Sequence, residues 1–177
     1  MAAWLGCGLV DIRPAQPGDA DAIASIYNEG IAERQATFQT RLHEGSDFAA
    51  RIEEREPMIV AAEDGAVLGA AWIGAYSDRS PYYAGVGEAT VYVAGTARRG
   101  GTGKALLDAL AVLARDSGRH KLVAKIFTTN RASLALFCSS GYRDVGVHLR
   151  HGRLDGEWKD VAVVELSLDL GGDVSES

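Results

Sequence analysis

The stretch Thr90-Val91-Tyr92-Val93-Ala94-Gly95-Thr96-Ala97-Arg98-Arg99-Gly100-Gly101-Thr102-Gly103-Lys104-Ala105-Leu106-Leu107-Asp108-Ala109-Leu110 decides how this chain is read. Its first four residues are β-branched or aromatic and favour an extended strand. Leu106, Leu110 and Leu113 then recur at helical spacing, which predicts a helix over 103–117 with Gly118 as its stop. A glycine-rich turn at a helix start exposes backbone N–H groups that have no carbonyl partner. The helix dipole adds partial positive charge there, so the turn favours phosphate. Arg98, Arg99 and Lys104 reinforce that preference, and residues 98–104 are read as one phosphate-binding segment.

Two familiar phosphate loops do not fit. A P-loop needs Gly-x-x-x-x-Gly-Lys-Ser/Thr. Here Gly103-Lys104 is followed by Ala105, and Arg98 stands where the first glycine belongs. A dinucleotide fingerprint fails at Leu106, which takes the place of its third glycine. What remains is Arg-x-x-Gly-x-Gly, carried by Arg98, Gly101 and Gly103.

Outward from this segment the pattern alternates. Residues 10–13 read as a short strand closed by Pro14 and Pro17. A helix to about residue 33 follows, capped by Asp19 or Asp21, with Ile23, Ile26, Tyr27 and Ile31 as its stripe. A second helix over 48–53 ends before Pro57. Strands at 58–62 and 66–76 flank Asp64-Gly65, a pair suited to a tight hairpin turn, and 88–93 is the third strand of the group. After the long helix come a buried-type strand at 122–127 and a helix capped by Asn130 and stopped by Gly141. A closing hairpin, 144–150 and 158–168, turns near Asp155-Gly156. The order predicts one α/β (α+β) domain over 10–168, a mixed sheet of about seven strands flanked by about four helices. Residues 1–9 read as a leader and not as a signal peptide, and 169–177 as a polar tail.

Bulk properties narrow the partners. The 177 residues carry a net charge of −6, and the basic residues are dispersed, which argues against nucleic acid. No apolar run approaches the roughly 20 residues that span a bilayer. Two cysteines, Cys7 and Cys138, form no CxxC pair, and a reduced, cytoplasmic chain is expected, with Cys138 as a small buried hydrophobe. Of the four histidines, His148 and His151 stand three apart on a strand, which directs them to opposite faces. No metal-ligand spacing emerges, and no metal is expected.

The Arg98/Gly101/Gly103 pattern between a strand and a helix resembles the pyrophosphate motif of the GNAT superfamily of N-acetyltransferases. Asn130-Arg131-Ala132-Ser133 with Gly141-Tyr142 resembles that family's second cofactor segment. Within the superfamily the chain is most similar to the phosphinothricin and arsinothricin N-acetyltransferases. The likeness rests on Ile26-Tyr27-Asn28 with Ala36-Thr37-Phe38, on Glu88-Ala89-Thr90-Val91-Tyr92-Val93, and on Gly156-Glu157-Trp158-Lys159-Asp160.

The resemblance implies acetyl-CoA as cosubstrate, bound by Val91, Tyr92, Val93, Arg98, Arg99, Gly100, Gly101, Thr102, Gly103, Lys104, Asn130 and Ser133. It implies a small amino-acid analogue as acceptor and a homodimer. Glu88 matches the general base, since an α-ammonium must lose a proton before it attacks. The N–H of Val91 or Val93 is the implied oxyanion donor. Phe38, Arg79, Tyr83 and Trp158 are the implied acceptor contacts. Relatives carry Tyr or His four residues before the Gly-Tyr pair, whereas this chain has Phe137, which leaves Tyr142, Tyr92 or water as the proton donor. A peptide or protein N-acetyltransferase and a non-catalytic acetyl-CoA sensor are the alternative readings.

Overall fold

The computed structural model describes residues 10–76 and 81–168. Its elements are β1 (Asp11–Pro14), α1 (Ala20–Ala32), α2 (Gly45–Glu53), β2 (Met58–Glu63), β3 (Ala66–Ala75), β4 (Val86–Val93), α3 (Thr102–Asp116), β5 (Lys121–Phe127), α4 (Arg131–Ser139), β6 (Arg143–Leu154) and β7 (Glu157–Ser167). They form a seven-stranded sheet in the order β1-β2-β3-β4-β5-β7-β6. Among the described residues only β4 and β5 pair in parallel, joined by α3 as the crossover a parallel pair requires.

The alternation of side chains distributes the strands between two cores. In β2 and β3, Met58, Val60, Ala70 and Trp72 face α1 and α2, where Ile23, Ala24 and Phe48 cover them. Ile59, Ala61, Ala71 and Ile73 face the other way, under Leu106, Leu107 and Leu110 of α3 and Phe137 of α4. A sheet buried on both faces explains why these strands read as continuous apolar runs.

Both predicted hairpin turns form, each with two residues at positive φ: Asp64 at 49° with Gly65 at 82°, and Asp155 at 49° with Gly156 at 83°. Asn130 caps α4, accepting from Ser133 N at 3.1 Å. Asp19 stands at the start of α1 but caps it with no side-chain bond. Its carboxylate instead takes Arg13 at 2.7 and 2.8 Å and Gln16 N at 2.8 Å. Hydrogen bonding to Arg13 is the main cause holding that carboxyl below its ordinary value.

Two expectations are corrected. Cys138 is exposed, because it lies about 100° round α4 from buried Phe137, at the margin of that helix's apolar stripe. The His148 and His151 rings lie together, 4.7 Å apart and 27° from parallel. The β6–β7 register breaks between His148 and Gly152, with Arg150 at φ 48°, so simple alternation does not hold there. Residues 1–9 and 169–177, read as leader and tail, and Arg79 lie outside the described residues. Among those described, no helix is long and apolar enough to cross a membrane.

Candidate active site

The site begins where two strands part. β4 and β5 pair only at Val86↔Lys121, Gly87↔Leu122 and Glu88↔Val123. Beyond Glu88, β4 keeps β3 on one side and, among the described residues, has no strand on the other. Ala94 N donates to Leu68 O at 2.9 Å, so by antiparallel alternation Tyr92 and Thr90 also bond toward β3. The backbone groups of Ala89, Val91 and Val93 therefore point into the gap. Arg98 Nε, which reaches Val93 O at 3.1 Å, reports that direction independently.

The gap is a cleft of about 930 Å³. Glu88, Val91, Tyr92, Val93, Arg98, Arg99, Gly101, Gly103, Lys104, Asn130 and Ser133 all line it, brought together from β4, the following loop, α3 and α4. Gly100 and Thr102 belong to the same turn without lining the cleft: Gly100 is exposed and Thr102 is buried under the first turn of α3. Phe38, Tyr83 and Trp158 also lie outside its lining. Phe38 packs edge-on against Phe127 at 4.7 Å and over Gly152, where a Cβ would sit 2.7 Å from the ring. Tyr83 packs on Tyr76, and Trp158 lies exposed beneath Arg153.

At one end of the cleft the chain offers backbone donors. Gly101 occupies the N-cap of α3 at φ 87° with no side-chain cap, and the first helical bond runs from Ala105 N to Gly101 O. The N–H groups of residues 102–104 thus lack helical partners. Arg98, Arg99 and Lys104 add charge around them. Glu33, just past the end of α1, holds Arg98 at 2.6 Å, and Glu29 of α1 holds Gly95 N at 2.8 Å, which fixes the loop against that helix. These donors and cations suit a diphosphate.

At the other end stands Glu88, its Oε2 paired with Lys125 Nζ at 2.8 Å. Sequence reading passed over Lys125, because its partner is 37 residues away and only strand register brings the two together. It also passed over Gln35 as part of the wall. Asn130 Nδ2 donates to Gln35 O at 3.1 Å, and Asn28 exchanges two 2.9 Å bonds with the backbone of His43, so the α1–α2 loop is tied at both ends.

Of the two tyrosines, burial pushes the Tyr92 and Tyr142 phenols well above their ordinary value. Tyr142 packs against Phe137 in the core and does not line the cleft, whereas Tyr92 does. Gly30 leaves room for the Tyr92 ring: a Cβ there would lie 2.5 Å from its Cε1. Among the described residues, no group of three or more His, Cys, Asp or Glu is placed to hold a metal.

Comparison with known proteins follows the same lines. Residues 12–163 match the family model described as an acetyltransferase (GNAT) domain. The chain is 34% identical to an L-methionine sulfoximine/L-methionine sulfone acetyltransferase of Pseudomonas aeruginosa, covering 89% of this chain and 94% of that protein. It is 32% identical to a phosphinothricin N-acetyltransferase of Streptomyces viridochromogenes, over 91% and 89% of the two. The Salmonella typhimurium protein yncA, solved with its cofactor acetyl-CoA, superposes with a TM-score of 0.86 at 31% identity, over 92% and 95%. A family model that spans most of the chain, together with relatives of matching length, establishes that this protein belongs to the GNAT acetyltransferases.

Proposed function

We propose that this protein transfers the acetyl group of acetyl-CoA to the α-amino group of a small amino-acid analogue of the phosphinothricin, arsinothricin or methionine sulfoximine type, and so confers resistance to it. The observation that carries the reading is the parting of β4 from β5 after Glu88. It leaves a row of backbone groups without a strand partner between a phosphate-type site and a carboxylate. The names of the relatives support the acceptor class.

In this reading the backbone of Gly101 and Gly103, with Arg98, Arg99 and Lys104, holds the diphosphate of acetyl-CoA, and Ser133 on α4 borders its pantetheine arm. Asn130 contributes by capping α4 and steadying Gln35. Acetyl-CoA supplies an acyl carbon already activated as a thioester. Glu88 takes a proton from the acceptor's ammonium, directly or through water, and the freed nitrogen lone pair attacks that carbon. The N–H of Val91 or Val93 stabilises the charge that develops on the thioester oxygen. A C–N bond forms, the C–S bond breaks, and the thiolate leaves to take up a proton. The loop wall formed by Gln35, Ala36 and Thr37 suits a compact acceptor. The same reading carries a homodimer, for which the exposed Val145, Val147 and Leu149 on edge strand β6 offer a surface.

The test is acetyl-CoA-dependent thiol release with phosphinothricin, arsinothricin, methionine sulfone, methionine sulfoximine and N-terminal peptides. Turnover on the free amino acids is expected. Turnover on peptides alone would sink the acceptor class, and acetyl-CoA binding without turnover would make the chain a sensor.

A further inference from the structure

One cation in the cleft is not explained by phosphate chemistry. Arg98, Arg99 and Lys104 belong to the loop and helix at the phosphate end, but Lys125 sits on β5 at the Glu88 end. It lies two residues past Val123, where the β4–β5 pairing stops, between buried Ala124 and Ile126. Strand alternation places its side chain on the same face as Phe127 and the α1–α2 loop. The side chain is 39% exposed, so it is open to a ligand in the cleft, and Glu88 is 30% exposed. Its ammonium is 2.8 Å from Glu88 Oε2 and 5.8 Å from the Tyr76 ring centre.

If Glu88 receives the acceptor's ammonium, Lys125 loses its anion, and its half-exposed ammonium is left with water alone as a partner. An α-amino acid supplies the replacement. Its ammonium and carboxylate hang from one carbon, so they can be received by an acid and a base that already touch. Two ion pairs exchange partners: Glu88 with the acceptor ammonium, Lys125 with the acceptor carboxylate. No net charge is introduced. An amine, an α-amide or the N-terminus of a peptide offers the ammonium alone and leaves Lys125 bare.

We infer that Lys125 is a specificity-determining residue that selects acceptors with a free α-carboxylate. The inference rests on the acceptor reading above and deepens it. It predicts a preference that no residue of the phosphate end controls.

The experiment compares kcat/KM for methionine sulfone and its α-carboxamide, and for phosphinothricin, in the wild type, Lys125→Met and Lys125→Arg. Methionine sulfone has a neutral side chain, so its only anion is the carboxylate. Wild type is expected to favour the acid over the amide at least tenfold. Lys125→Met should bring that ratio to within about threefold of unity through a raised KM for the acid, and Lys125→Arg should keep most of the preference. An equal fall for acid and amide in Lys125→Met, or an unchanged ratio, overturns the assignment alone and leaves Lys125 as a prop for Glu88. A fall confined to phosphinothricin overturns it too, because the side-chain anion would then be the partner. A wild type active only on peptides overturns the acceptor reading and this inference with it. Should Lys125→Met melt early, the acid-to-amide ratio in Lys125→Arg decides: loss of the preference there, with the fold intact, counts against a simple charge pairing.

Discussion

The two ends of the cleft are made from different material. The phosphate end is one contiguous run, residues 98–104, and its chemistry is mostly backbone: unpaired N–H groups, a left-handed Gly101 and a helix start. The end proposed to receive the acceptor is assembled from side chains that are far apart in sequence. Glu88 and Lys125 come from neighbouring strands, and Gln35 from a loop that Asn130 holds from the opposite side. A backbone site needs only local geometry, and so tolerates much sequence change outside its glycines. A side-chain site depends on register and on the loop ties that surround it. The difference teaches that cofactor and acceptor recognition should be separable by mutation.

The sharpest way to break that separation is Glu88→Gln. Removing the proposed base is expected to lower kcat by about a hundred- to ten-thousand-fold, with the KM for acetyl-CoA unchanged. A rise in that KM would show that the two ends are not independent.

A region belonging to neither end provides the control. Asp19 accepts three hydrogen bonds, two from Arg13, and Asp19→Asn should cost about 1.5–3 kcal/mol of stability at neutral pH while leaving both KM values alone. The sign with pH is fixed by the lowered folded carboxyl. The stabilisation is present above the unfolded value near 4 and is lost as pH falls through the lower folded value. Urea titrations of wild type and variant should therefore converge as pH drops below about 4.

At the phosphate end, Gly101→Val puts a branched side chain at φ 87°. The left-handed strain of about 1–2 kcal/mol should distort the turn. We expect the KM for acetyl-CoA to rise roughly five- to thirtyfold, with the acceptor KM unmoved.

The smallest effect tests the acceptor wall. Asn130→Ser keeps a cap oxygen for α4 but loses the amide that reaches Gln35 O. One neutral hydrogen bond, about 0.5–1.5 kcal/mol, corresponds to a two- to tenfold rise in acceptor KM. A rise in the KM for acetyl-CoA instead would assign Asn130 to the cofactor.

Much of the molecule was open to sequence reading wherever physics is local. Helix stripes, the Asn130 cap, the two Asp-Gly turns and the glycine-rich helix start all follow from residues within one or two turns of each other. The element order came from the same signals, whereas the family came from the likeness of particular segments, Arg98/Gly101/Gly103 and the Glu88–Val93 strand among them, to those of a known one. What failed had non-local causes. The stacking of His148 on His151 needed the break in β6–β7 register. Cys138 is exposed because only the Phe137 side of α4 meets the core, and which side a short helix turns inward is set by packing. Asp19 does stand at the N-cap of α1, with its carboxylate taken up by Arg13 and Gln16 N.

The division is clearest at the site itself. The sequence by itself determined a phosphate-binding turn and a carboxylate at the head of a strand, because short-range backbone preferences and chemical type suffice for both. Only the tertiary structure decided that β4 leaves β5 after Glu88 and that Lys125 arrives opposite it. Strand pairing brings together residues dozens of positions apart, and no local pattern encodes which of them will meet.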